Sequence, residues 1–171
     1  MKVYKIIMAC LLVLALSLSM ASAADVNETH STQSVPGEGN FTDLDNDIPE
    51  SGSIELEKDY KFSPETEGMY VSGIDITTPK DSELIINGNG RTIDGAGKAT
   101  IFKFVNSTAT ISNLIFKNSG RSAIILYNTT LKTVNVTFID NFDNIGGSAI
   151  YADLGSNYTS VNDRFLNLSD L

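Results

Sequence analysis

The chain has 171 residues, 12 basic against 21 acidic side chains, one cysteine, one histidine and no tryptophan, a length that suits one domain. The acid is lopsided: residues 25–67 hold 12 acidic and 2 basic side chains, which argues against nucleic acid or anionic lipid as partners, since both need basic patches. Cys10 and His30 are alone of their kind, so no zinc set and no disulfide within the chain can be assembled; His30 lies in a polar N-terminal stretch, so no Ser–His triad is expected, and no cofactor.

Lys2 and Lys5 precede an apolar run from Ile6 to Leu18 that ends in Ala21-Ser22-Ala23. This pattern predicts a secretory signal peptide over residues 1–23, cleaved after Ala23, because the run is shorter than the ~20 residues of a spanning helix and a small-residue cleavage site follows it. Membrane contact is expected only through this peptide before cleavage. The remaining 148 residues would carry no thiol and a net charge of −11, and would be secreted or displayed at the cell surface.

Residues 24–40 are polar, with Pro36-Gly37 and Gly39, and read as a disordered lead-in. Phe41 to Pro49 predicts a short helical turn with Thr42 or Asp43 as N-cap, stopped by Pro49. Ile54-Glu55-Leu56-Glu57 then alternates like a strand. Residues 41–67 are expected to cap the domain that follows. Asp43, Asp45 and Asp47 have the alternate spacing of a calcium loop, but Ile48 and Ile54 stand where such a loop needs Gly and Glu, so acids in a first helical turn are the better reading and no metal is expected.

From residue 68 onward the chain reads as short strands and tight corners: Ile74-Asp75-Ile76, Leu84-Ile85-Ile86, Asn87-Gly88-Asn89-Gly90, Ile93-Asp94-Gly95, Ile101-Phe102-Lys103-Phe104. Then a repeat sets in. Asn113-Leu-Ile-Phe116-Lys-Asn118 returns as Asn135-Val-Thr-Phe138-Ile-Asp-Asn141 and as Asn162-Asp-Arg-Phe165-Leu-Asn167, with the phenylalanines 22 and 27 residues apart. Ser122-Ala123-Ile124 returns in step as Ser148-Ala149-Ile150. Such a period without helical stretches predicts an all-β fold, a parallel β-helix (solenoid) of about 3–5 coils over residues 68–171. If Lys103 points outward, Phe102, Phe104, Leu114, Phe116, Val136 and Phe138 point inward and stack coil on coil. Asn113, Asn135 and Asn162 are expected at corners, where their amides could form a buried ladder; the alternative is that each is an exposed turn residue. The final coil has Asp163 where Leu114 and Val136 stood, and looser packing is expected there.

Ile86-Asn87-Gly88-Asn89-Gly90-Arg91-Thr92-Ile93-Asp94-Gly95 with the Asn-x-x-Phe coils resembles the right-handed parallel β-helix repeats of adhesin-like surface proteins of methanogenic archaea, and the wider pectin-lyase-like superfold. The Phe138-Ile-Asp-Asn141 and Gly146-Gly147-Ser148-Ala149-Ile150 elements are similar to repeats of bacterial polymorphic outer-membrane adhesins. The resemblance spans residues 41–171 and implies a right-handed fold and a binding or structural role at the cell surface; its motifs encode corners and core positions and specify no activity. Members of these families are far longer and carry an anchoring region. This chain stops within a coil, which suggests the start of a longer protein, a non-functional fragment, or a subunit that self-associates through an open C-terminal edge.

Seven Asn-x-Ser/Thr sequons fit an exported glycoprotein. Asn27, Asn40, Asn106, Asn128, Asn157 and Asn167 are candidate acceptors, whereas Asn135 is discounted because a laddered, buried amide cannot carry a glycan. For catalysis the superfold's polysaccharide lyases and hydrolases need carboxylates on one face. Here they are scattered, Asp140 and Asp163 being the nearest to equivalent places on successive coils, so no catalytic residue is assigned and a polysaccharide-active enzyme, or a carbohydrate-binding remnant of one, is the alternative. Glycans or proteins of host or neighbouring cells are the expected partners, with Tyr127, Tyr151 and Tyr158 as candidates for the contact face.

Overall fold

In the computed structural model, which describes residues 37–143, 146–153 and 155–170, parallel strands succeed one another in a fixed rotation around a common core. The signal-peptide segment, most of the lead-in, Cys10, His30 and Asn27 lie outside the described residues. The chain forms a parallel β-solenoid of five turns. β1 (Glu38–Gly39) and the one described α-helix, α1 (Phe41–Asp47), precede a first turn of β2 (Gly52–Glu55) and β3 (Asp59–Lys61). The second turn holds β4 (Ile74–Ile76), β5 (Leu84–Asn87) and β6 (Thr92–Asp94); the third, β7 (Phe102–Val105), β8 (Thr108–Ser112) and β9 (Ile115–Lys117). The fourth holds β10 (Ile124–Tyr127), β11 (Thr130–Val134), β12 (Thr137–Ile139) and β13 (Phe142–Asp143); the fifth, β14 (Ile150–Ala152), β15 (Asn157–Val161), β16 (Arg164–Leu166) and β17 (Ser169–Asp170).

Like strands stack into three sheets: β4-β7-β10-β14, β2-β5-β8-β11-β15 and β1-β3-β6-β9-β12-β16, with β13 and β17 as a small fourth pair. β2 and β3, within the segment expected to cap the solenoid, pair in parallel with β5 and β6, and β1, within the expected lead-in, pairs with β3.

Register explains the repeat. Tyr60, Ile93, Phe116, Phe138 and Phe165 are partners on successive strands, so each coil adds one large side chain to a single inward column. The rings of Phe116 and Phe138 stack at 5.2 Å and 12°, and those of Phe138 and Phe165 at 5.1 Å and 6°. Phe102, Phe104, Leu114, Phe116, Val136 and Phe138 are all buried, as alternation predicts. Each such ring contributes roughly 2–3 kcal/mol through burial. Phe165, on the last described coil, remains 45% exposed.

The corners are made by residues in the left-handed region. Asn106, Asn113, Asn118, Asn128, Asn135, Asp140, Asn162 and Asn167 all have φ between 46° and 56°, where the short polar side chain of Asn or Asp is better tolerated than other side chains. The amides of Asn113, Asn118, Asn128, Asn135 and Asn167 donate to the preceding coil. Asn135 Nδ2 donates to Asn113 Oδ1 at 3.4 Å, and Asn113 Nδ2 to Asn87 Oδ1 at 3.1 Å; Asn87 Nδ2 ends the chain on Glu55 Oε1 at 3.4 Å. The ladder exists, but Asn113, Asn135 and Asn162 are exposed and not buried: their left-handed turns project the side chains off the outside of the corner. Burial is thus no reason to discount Asn135 as a sequon. Gly88 next to this ladder is required by close approach, since a Cβ there would lie 2.6 Å from the Cβ of Leu114.

Asn141 is not the counterpart of Asn118. Asp140 fills that corner, and Asn141 is turned into the core, where its Oδ1 accepts from Ser119 N and its Nδ2 donates to Phe116 O, both at 3.0 Å.

α1 closes the first coil with Phe41 and Leu44. Its N-cap is Asn40, two or three positions earlier than the sequence suggests: Asn40 Oδ1 accepts from Asp43 N and Asp43 Oδ2 accepts from Asn40 N, a reciprocal capping box. The helix stops before Ile48-Pro49. Glu67, 2% exposed, lies against the same helix start, accepting from the backbone N–H groups of Phe41, Thr42 and Ser63 and from the Thr42 hydroxyl. A buried carboxylate is held there by four donors and the positive end of a helix.

Candidate functional site

Inward-pointing Phe102, Phe104, Ile124 and Leu126 force their neighbours outward, so alternation decides what the first sheet shows to solvent. Its outer face carries Asp75, Lys103, Ile125 and Tyr151 in one row, with Val105 and Tyr127 in the next. Asp75 and Lys103 pair at 2.6 Å. Beyond them the face turns apolar: Ile125 and Val105 are half-buried, and Tyr127 and Tyr151, 37% and 38% exposed, meet edge to face at 6.5 Å. Two tyrosines on a flat, rigid sheet, with an ion pair at one side, can offer ring surface to an apolar or C–H-rich ligand face and phenolic groups to its polar edge. The sequence nominated the tyrosines but not Ile125, Val105 or the ion pair. The signal was present in the alternation around Lys103 and the Ser-Ala-Ile repeat.

Tyr158 does not belong to this face. It is the partner of Leu131, turned toward the core, and its hydroxyl lies 2.8 Å from Thr133 Oγ1. Burial, with Asp163 close by, pushes its phenol pKa up. Asp163 itself is half-buried. Its Oδ1 accepts from Val136 N at 2.8 Å, and its Oδ2 accepts from the hydroxyls of Thr133, Ser160 and Tyr158. Asp163 thus brings a hydrogen-bonded polar cluster into the final coil, whose Phe165 and Val161 are 45% and 38% exposed.

Asp140 and Asp163 are not equivalents. Asp140 is an exposed corner residue whose partner on the next coil is Asn167, donating at 3.0 Å, whereas Asp163 occupies the inward place of Leu114 and Val136. The two carboxylates hold different partners at non-equivalent places of the coil.

A shallow groove of about 520 Å3 runs beside the corner of the third sheet, lined by Lys61, Asp94, Asn118, Asp140 and Phe142 among others. Asn118 Nδ2 donates to both oxygens of Asp94 at 3.2 Å, so that carboxylate serves the corner first. In the cap, Asp43 completes the capping box, Asp45 accepts from Tyr70 and Asp47 from Tyr60. These three acids diverge to different partners, and among the described residues no group of three or more potential ligands converges as a metal site would require. No protein-family model, curated protein or solved structure matches the chain.

Proposed function

We propose that this is an exported, adhesin-like β-solenoid, of the kind whose repeats it resembles, that works by binding at a cell surface and not by catalysis. The signal-like residues 1–23 support export. The Tyr127–Tyr151 pair, exposed on the adjacent parallel strands β10 and β14, is the observation that carries the binding role. Its partner is a glycan or a protein of a neighbouring cell.

Replacing Tyr127 and Tyr151 together by alanine is the direct test of the binding role. Adhesion to cells or immobilised glycans should fall at least tenfold while the melting transition stays in place; unchanged adhesion removes the proposal.

The groove beside Asp140 favours one second reading, a polysaccharide-active protein, because it brings a lysine and two carboxylates to one place. Release of unsaturated or reducing sugars from polyuronates, abolished by Asp140→Ala, would establish it.

A further inference from the structure

The corner ladders divide the sequons into two kinds. Asn106 Oδ1 is occupied by Asn128 Nδ2 at 2.9 Å, Asn135 donates to Asn113, and Asn167 donates to Asp140. These four acceptors share left-handed corners in which the amide is tied to the neighbouring coil. Asn40 fails differently: its Oδ1 caps α1, and the hydroxyl two residues on, which a sequon-reading transferase must engage, is spent on Glu67 at 2.9 Å.

Asn157 differs from all five. It opens β15 on the outer face of the second sheet, in one row with Thr108 and Thr130. Only its backbone is engaged, N–H to Thr129 O at 2.8 Å; its side chain is exposed and has no hydrogen-bond partner among the described residues. Thr159 stands exposed on the same face, while Tyr158 between them turns inward, so amide and hydroxyl are presented together by an extended strand.

We infer that, of these six sequons, Asn157 alone receives a glycan in the folded protein. The co-reactant is a lipid-phosphate-linked saccharide. Asn157 Nδ2 forms a bond to the anomeric carbon and loses one proton, and the bond from that carbon to the phosphate oxygen breaks, its electron pair leaving with the lipid phosphate. Modification here extends a glycan from the outer face of the second sheet. The inference rests on the export proposed above.

Glycopeptide mapping of the protein from its native host tests it. The expected result is saccharide mass on the peptide containing Asn157, unmodified Asn40, Asn106, Asn128, Asn135 and Asn167, and loss of that mass in Asn157→Gln. A glycan on any of the other five, or a bare Asn157 in exported protein, overturns the inference. Retention of the chain inside the cell with residues 1–23 attached overturns the export reading instead, so the two failures are distinguishable.

Discussion

The side-chain amide of Asn113 donates to Asn87 Oδ1 across 3.1 Å, joining two consecutive coils at a corner where Asn113 has φ of 52°. One residue type thus does two jobs: it tolerates the left-handed turn and it bonds to the coil before it. The jobs separate by mutation. Asn113→Gly keeps the turn and loses only the hydrogen bonds, about 0.5–1.5 kcal/mol. Asn113→Ala adds the left-handed cost of a β-carbon, about 1–2 kcal/mol more. Urea unfolding of both variants checks this; equal losses would show that the corner stores no conformational preference.

The inward column predicts a gradient along the solenoid. Phe138, buried between Phe116 and Phe165, should cost about 3–5 kcal/mol on replacement by alanine. Phe165→Ala should cost roughly half or less, since its ring is 45% exposed and is stacked on one side by Phe138. Denaturant midpoints measured at a shared slope distinguish the two.

Glu67 should matter more than its place in a connecting segment suggests. Glu67→Gln turns one of its two acceptor oxygens into a donor facing N–H groups, and should destabilise the chain by about 1–3 kcal/mol. The loss should appear first as faster hydrogen exchange at Phe41 to Leu44, because α1 is released before the coils.

Alkaline pH should weaken the cap. The phenols of Tyr60 and Tyr70 are pushed upward, first by burial and then by donating to Asp47 and Asp45. A group whose folded pKa is raised binds its proton more tightly when folded. Its stabilisation is complete below the ordinary phenol pKa of about 10 and is lost as pH rises above it. Thermal unfolding between pH 8 and 11 should therefore show stability falling from about pH 10 upward. Tyr60→Phe should be less stable at pH 8, through loss of the Asp47 bond, yet show a shallower alkaline decline.

The sequence by itself determined the solenoid. Alternation around Lys103 and the spacing of Phe116, Phe138 and Phe165 encode which side chains point inward and that they recur once per coil, because strand geometry allows no other arrangement of those residues around one core. It also located the corners at Asn113, Asn135 and Asn162, where only a few residue types accept a left-handed turn.

Register lay beyond it. Asp140 and Asn141 are neighbours in sequence, and only strand pairing reveals that the first is the exposed corner and the second the buried amide. Pairing likewise turned Tyr158 inward beside Asp163, set Tyr127 beside Tyr151, and carried Asn40 and Glu67 to the two sides of one helix start. Each of these contacts joins residues that are distant in sequence or differ by a single place in register. Local pattern is insensitive to such a shift, while the packed core admits one solution.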